Sequence, residues 1–303
     1  MSLADEISKL KRERNAVVLA HNYQRGEVQD IADYTGDSLG LSMKAVEVDA
    51  DVIVFCGVDF MAESAAVLNP GKTVLNPKPE AQCPMAAMIT PERLRAVQRE
   101  HPGAATVCYV NSSAAVKAES DICCTSSNAV KVVESLEQDE VIFVPDYNLA
   151  MYAQRFTSKK IYPWDGFCPT HHQITAGDVL LSRLDHPGAE VVVHPECRQE
   201  VIDLADGVFS TDGMLKYAKR SQHDLIVGTE VGIVHRLKKE NPGRNFYPVS
   251  NFVVCPNMKM NTLATVRDSL RDMRTPISVP ENIRIRAKMS LDRMLAVGRG
   301  ERL

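Results

Sequence analysis

Three Cys-Pro dipeptides, Cys83-Pro84, Cys168-Pro169 and Cys255-Pro256, stand 85 and 87 residues apart. Near-equal spacing of so reactive a pair suggests one metal or cluster site assembled from three copies of a single structural unit. The neighbouring sequence repeats in step with it. About 62 to 66 residues before each cysteine lies a β-branched run ending in polar side chains: Val17 to Asn22, Thr106 to Asn111 and Val191 to Glu196. A second run, Asp51 to Gly57, Glu140 to Asp146 and Asp224 to Glu230, lies roughly 28 to 32 residues before each cysteine. Between the two runs each copy carries a small polar cluster: Gly36-Asp37-Ser38, Thr125-Ser126-Ser127-Asn128 and Ser210-Thr211-Asp212-Gly213.

Short apolar strands alternating with helical segments describe βαβ units, whose crossover helices force a parallel sheet covered on both faces. The expected fold is therefore α/β, with three similar three-layer α/β/α domains, each built on a short parallel sheet, around a pseudo-threefold axis. The expected divisions are residues 1–83, 84–168 and 169–255, with C-terminal helices in 256–303 packing back on the domains. Apolar residues recur at helical spacing from Met260 to Met273 and from Ile285 to Val297, with Arg and Lys on the opposite, solvated face.

A chain of 303 residues, 45% hydrophobic and 24% charged, has ample core for such an architecture. Its net charge of -4 gives no reason to expect nucleic acid or an anionic membrane as a partner. No apolar stretch approaches the ~18 residues of a membrane span, and Met1-Ser2-Leu3-Ala4-Asp5-Glu6 lacks the basic and apolar regions of a signal peptide. Eight cysteines in an unexported chain point to reduced thiols in a cytoplasm.

The cysteines divide by position. Cys56 and Cys108 lie inside expected strands, where a buried thiol behaves as a small hydrophobe. Cys123 and Cys124 are adjacent, an awkward arrangement for joint coordination of one iron. Cys197 is read at the start of a helix, where a thiol pKa falls, so a reactive thiol is one reading of it. Only the Cys-Pro cysteines occupy the same place in every repeat, and proline holds each in an extended conformation at a turn. A structural zinc wants four ligands, usually with a close Cys-x-x-Cys pair, and Cys168-Pro-Thr-His171 is the one local pair on offer. A four-iron, four-sulfur cube has a threefold axis through one corner, so three equivalent thiolates can hold three irons and leave the fourth open as a Lewis acid.

The carboxyl edge of parallel strands is the working end of α/β units. The first strands deliver His21, Asn22 and Tyr23, then Tyr109 and Asn111, then His194 and Glu196. The polar clusters read as helix caps, and three of them converging on one axis also make a site for carboxylate or phosphate without arginine. Glu196 beside His194 is the best general acid/base pair. Gly228-Thr229-Glu230 reads more as a turn than as part of the site. Gly71-Lys72-Thr73 is not a phosphate loop, because Ala66 stands where that motif needs glycine.

Ten motifs follow one another along the chain: Ala20-His21-Asn22-Tyr23-Gln24, Gly36-Asp37-Ser38-Leu39, Cys56 to Glu63, Cys83-Pro84-Met85-Ala86, Tyr109-Val110-Asn111-Ser112, Cys124 to Ala129, Trp164 to Cys168, His194-Pro195-Glu196-Cys197, Gly228 to Gly232 and Val254-Cys255-Pro256. In this order they resemble the quinolinate synthase family, iron-sulfur transferases of NAD biosynthesis, over nearly the whole chain. The resemblance implies a [4Fe-4S] cluster on Cys83, Cys168 and Cys255 with one open iron. It implies condensation of iminoaspartate with dihydroxyacetone phosphate to quinolinate, with loss of phosphate and two waters, and a functional link to an aspartate-oxidising enzyme. By the same resemblance His21, Tyr23, Tyr109 and Glu196 handle protons. Substrate would be held by His21, Ser38, Tyr109, Asn111, Ser126, His171, His194, Glu196, Ser210 and Thr211. Asp212 departs from the family, which usually has a small hydroxyl residue there. Two rival readings are a hydro-lyase acting on a simple hydroxy acid, which needs no phosphate site, and an iron-sulfur electron carrier, which normally has four protein ligands.

Overall fold

The computed structural model describes residues 2–301. Its twelve strands form three separate four-stranded sheets, all strand pairs within them parallel. The first sheet contains β1 (Ala16–His21), β2 (Tyr34–Gly36), β3 (Val52–Cys56) and β4 (Thr73–Leu75) in the order β2-β1-β3-β4. The second contains β5 (Ala105–Tyr109), β6 (Ile122–Cys124), β7 (Glu140–Val144) and β8 (Lys160–Pro163), ordered β6-β5-β7-β8. The third contains β9 (Glu190–Val193), β10 (Gly207–Val208), β11 (Leu225–Gly228) and β12 (Phe246–Pro248), ordered β10-β9-β11-β12.

The recurrence is exact enough to align the sheets residue by residue. Ala20 pairs with Cys56, Cys108 with Val144 and Val193 with Gly228, so His21, Tyr109 and His194 occupy one equivalent position at the end of the first strand. On the other side His21 pairs with Gly36, Tyr109 with Cys124 and Val193 with Val208. Ser38 and Ser126 lie two residues past those edge partners and Thr211 three past Val208, and because Val193 is one residue short of His194 the three are equivalent as well; all carry hydroxyls. In each sheet the chain leaves the first strand for one edge and returns to the other side, which makes the crevice beyond its carboxyl end a topological switch point.

The central strands are sealed by burial. Every residue of β3 and β5 is buried, as expected for parallel strands covered on both faces. Helices supply the covers: Val266 and Leu270 of the helix Leu263–Asp272 meet Ile7 of Leu3–Glu13 over Val18, Val52 and Val54. The long helix Glu281–Arg299 buries Ala287, Leu291, Met294 and Leu295 and packs on Ala114–Ala118 and β6.

The C-terminal helices differ in extent from the sequence reading. The first starts at Leu263 rather than Met260, because Thr262 and Thr265 form a reciprocal cap and Met258–Met260 is a separate 3₁₀ turn. The second runs four residues earlier and two later, from Glu281 to Arg299, entered from Pro280 and closed by Gly300 at φ 87°. Among the described residues, no helix is long and apolar enough to cross a membrane.

Candidate active site

The carboxyl ends of the three sheets face one cavity of about 170 Å³. Of the eight cysteines, all free, only Cys83, Cys168 and Cys255 line it, one from the loop beyond the last strand of each sheet. Cys56, Cys108, Cys123, Cys124 and Cys197 are buried elsewhere, at 0% exposure. The donor set fits a cluster with three protein ligands: three thiols from three directions around one enclosed space, and no fourth cysteine in its wall. Burial pushes the Cys83 thiol up to about 12 and raises Cys168 and Cys255 as well, so without a bound cation the three stay protonated. Cys168 Sγ, a ring nitrogen of His171 and a Glu196 carboxylate oxygen also lie within 4.8 Å of one another, a compact group able to hold a single metal ion.

Two histidines enter from equivalent strand ends and are oriented by the same device. The Tyr23 amide donates to His21 Nδ1 at 3.2 Å, and the Glu196 amide to His194 Nδ1 at 3.3 Å. An acceptor Nδ1 leaves the proton on Nε2, and for His194 that atom meets Ser126 Oγ at 3.1 Å. Burial, which penalises the imidazolium, pushes both His21 and His194 down to about 3. They are neutral donors at physiological pH.

Among the described residues, Glu196 is the one carboxylate in direct contact with this histidine cluster. Its Oε1 accepts from the Tyr109 hydroxyl at 2.5 Å, while Oε2 lies 2.6 Å from His171 Nδ1 and 3.5 Å from His194 Nδ1. Burial alone raises a carboxyl, but here His171 and His194, with hydrogen bonds from His171 and Tyr109, bring Glu196 down to about 2. Tyr109 and Tyr23 move the other way: burial first, then the Glu196 charge, hold both phenols well above their usual range. Tyr23 Oη contacts Thr229 Oγ1 at 2.5 Å and His171 Nε2 at 3.3 Å.

Ser38, Asn111, Ser126 and Thr211 also line the wall. Asn111 Oδ1 is buried with no partner, an acceptor left for a bound molecule. Ser38 and Thr211 each open a ten-residue helix whose cap is the residue before: Asp37 accepts from the Gly40 amide at 2.7 Å, Ser210 from the Gly213 amide at 3.2 Å. Ser210 is thus occupied as a cap, and its hydroxyl also reaches Asp37 at 3.4 Å; it stands behind the cavity wall, which Thr211 forms. Among the described residues, no lysine or arginine lines the cavity. Asp212 faces away, accepting from Asn22 at 3.0 Å with Arg236 3.9 Å off, and so ties the first sheet to the third. Burial, and then the Asp212 charge, push Asp37 up to about 7.

Two sequence readings need correction. Cys197 does not begin a helix; the helix starts at Gln199, and burial raises the thiol, so the reactive form is suppressed. Gly228-Thr229-Glu230 is not a mere turn, because Thr229 joins Tyr23 and His171 while Glu230 lines the cavity. Thr170 also lines it and carried no signal beyond its place between Cys168 and His171.

The histidine shifts set a pH dependence. His21 and His194 have native values near 3 against about 6.5 unfolded, so between those limits the unfolded chain binds more protons. Their contribution to stability is therefore complete above pH ~6.5 and lost as pH falls towards ~3, by at most ~1.4 kcal/mol per pH unit for each. Thermal unfolding between pH 7.5 and 5 should show the midpoint falling below about 6.5, and less steeply in His21→Gln. A flat profile would contradict the neutral, buried histidines.

A protein-family model described as NadA, quinolinate synthetase A protein, matches residues 5–296. The chain is 58% identical to a quinolinate synthase of Methanoregula boonei over 296 residues, 97% of this chain and 98% of that protein. It is similarly 58% identical to that of Methanosarcina barkeri, covering 97% of each, and 57% to that of Dehalococcoides mccartyi, covering 97% and 98%.

Proposed function

The chain belongs to the quinolinate synthetase A family, and from that premise we propose that it is a quinolinate synthase, a transferase of NAD biosynthesis working in the cytoplasm. It condenses iminoaspartate, supplied by an aspartate-oxidising enzyme, with dihydroxyacetone phosphate, releasing quinolinate, phosphate and two waters. The observation that carries the reading is the meeting of three thiols from three sheets with His21, Tyr23, Tyr109, His194 and Glu196 in one buried cavity. Cys83, Cys168 and Cys255 would hold a [4Fe-4S] cluster, which supplies an open iron as Lewis acid for departure of a hydroxyl.

The remaining chemistry belongs to the side chains. Both substrates are anions, and the cavity meets them with neutral donors: the Nε2–H groups of His21 and His194, the hydroxyls of Ser38, Ser126 and Thr211, and the first-turn amides of the helices Ser38–Glu47 and Thr211–Arg220. Ser210 fixes the second of those helix starts. Asn111 Oδ1 accepts from a substrate N–H or O–H. Glu196, ionised between two imidazoles, takes protons from substrate carbon or nitrogen, and Tyr109, already donating to it, returns them. His171 links Glu196 to Tyr23 through Thr229, so a proton can be redistributed along that chain without bulk water.

The test is an anaerobic assay with dihydroxyacetone phosphate and iminoaspartate generated in place. Quinolinate and phosphate should form in equal amounts. Dehydration of a simple hydroxy acid with no release of phosphate would replace this reading with a hydro-lyase.

A further inference from the structure

The sheet alignment exposes a second threefold set, made of acids. Beyond Cys56, Val144 and Gly228, the equivalent last residues of β3, β7 and β11, stand Asp59, Asp146 and Glu230. Asp146 and Glu230 are two residues past the strand, and Asp59 is three. Each belongs to the same sheet as one cluster cysteine and precedes it by 22 to 25 residues.

The contacts repeat in the first and third sheets. Asp59 Oδ1 accepts from the Cys83 amide at 3.1 Å and from the Phe60 amide at 2.8 Å. Glu230 Oε1 accepts from the Cys255 amide at 3.2 Å, while Oε2 takes the Gly232 amide at 2.7 Å and Lys259 Nζ lies at 2.9 Å. In the second sheet the amide contact is missing: Asp146 Oδ1 accepts from Leu149 at 2.7 Å, and Oδ2 is buried without a hydrogen-bond partner. Glu230 and Asp146 are both at 0% exposure, a costly place for an acid.

Proline follows each of the three cysteines and has no N–H, so the cysteine's own amide is the last backbone donor before the ring and the point at which the preceding chain can be anchored. We propose that Asp59 and Glu230 are positioning residues for Cys83 and Cys255, in the first and third sheets, each acting through the backbone amide of its cysteine. The inference rests on the cluster reading above and extends it to the groups that aim the ligands. Two consequences follow. An anchored amide fixes the backbone from which the thiolate projects, and loss of such an outer partner typically weakens metal binding about 10- to 100-fold. An amide engaged by a carboxylate is also withheld from the cluster's sulfurs, and a negative charge is placed beside it; both keep the reduction potential low.

The experiment uses the full chain, reconstituted anaerobically with iron and sulfide, and reads two quantities: the rate of iron release to a ferrous chelator and the midpoint potential of the cluster. Asp59→Ala and Glu230→Ala should release iron about 10- to 100-fold faster than the parent. Asp59→Asn keeps a carbonyl acceptor but not the charge, so it should restore slow release while the potential moves to a more positive value. If the alanine variants do not fold, Asp59→Asn decides by potential alone. A loaded parent protein whose variants match it in both release and potential overturns this inference and leaves the cluster reading standing. A parent that takes up no cluster overturns both.

Discussion

Glutamine in place of Glu196 is expected to lower turnover by about 10²- to 10⁴-fold, the range for loss of a positioned proton-transfer group, with iron content and cluster spectrum unchanged. The side chain keeps its shape, and its carbonyl can still accept from Tyr109, which donates to Oε1 at 2.5 Å. What is lost is the charge held by the contact with His171 at 2.6 Å. Because the native site holds this carboxyl below its ordinary value, the ionised form stabilises the fold, and Glu196→Gln should also lower the unfolding midpoint. Because the defect lies in proton transfer, kcat should carry most of it and KM little. Unchanged turnover would exclude Glu196 as the acid/base group. Loss of iron would instead place Glu196 among the metal ligands, the alternative raised by its closeness to Cys168 and His171.

Serine at Cys83, Cys168 or Cys255, one at a time, should have the largest effect of all: loss of most bound iron and of turnover down to background. The three thiols come from equivalent loops of three sheets, so no one of them is dispensable on grounds of position. An alkoxide is a poorer ligand than a thiolate for iron-sulfur clusters, and a cube held by two cysteines exposes a second iron. Serine at Cys56 or Cys197 provides the control. Each is buried outside the cavity, and burial pushes the Cys56 thiol up to about 12, so their replacement should disturb packing without touching iron. Iron content is measured after gel filtration under anaerobic conditions. Full iron and turnover in any one of the three serine variants would remove that residue from the ligand set.

The sequence was most informative where side chains are long-buried and β-branched. The runs Val17 to Asn22, Asp51 to Gly57, Thr106 to Asn111 and Glu140 to Asp146 overlap β1, β3, β5 and β7 almost residue for residue, because parallel strands buried on both faces leave unbroken apolar runs. The outer strands were invisible. β2, β4, β6 and β12 have three residues each and β10 has two, too few for any periodicity, and Pro163 and Pro248 close β8 and β12. Two strands per repeat were therefore legible where four exist.

The same contrast holds in the site. His21, Tyr109 and His194 stood out because a polar side chain ends an apolar run. Asp146 and Glu230 also end such runs, yet an acid after a strand looks like ordinary turn chemistry. Only the folded chain shows that Glu230 meets a cysteine amide 25 residues further on. Ser210 and Thr211 were read together as one polar cluster. Their division of labour depends on which residue caps the helix and which begins it, a one-residue distinction that spacing alone does not make.

The central claim is that three remote thiols converge on an inorganic cluster, and it is tested most directly by the iron, sulfide and zinc content of the protein isolated without oxygen. The account predicts a brown protein with about four irons and about four sulfides per chain and no stoichiometric zinc. One zinc per chain with no sulfide, or no metal at all, would contradict it.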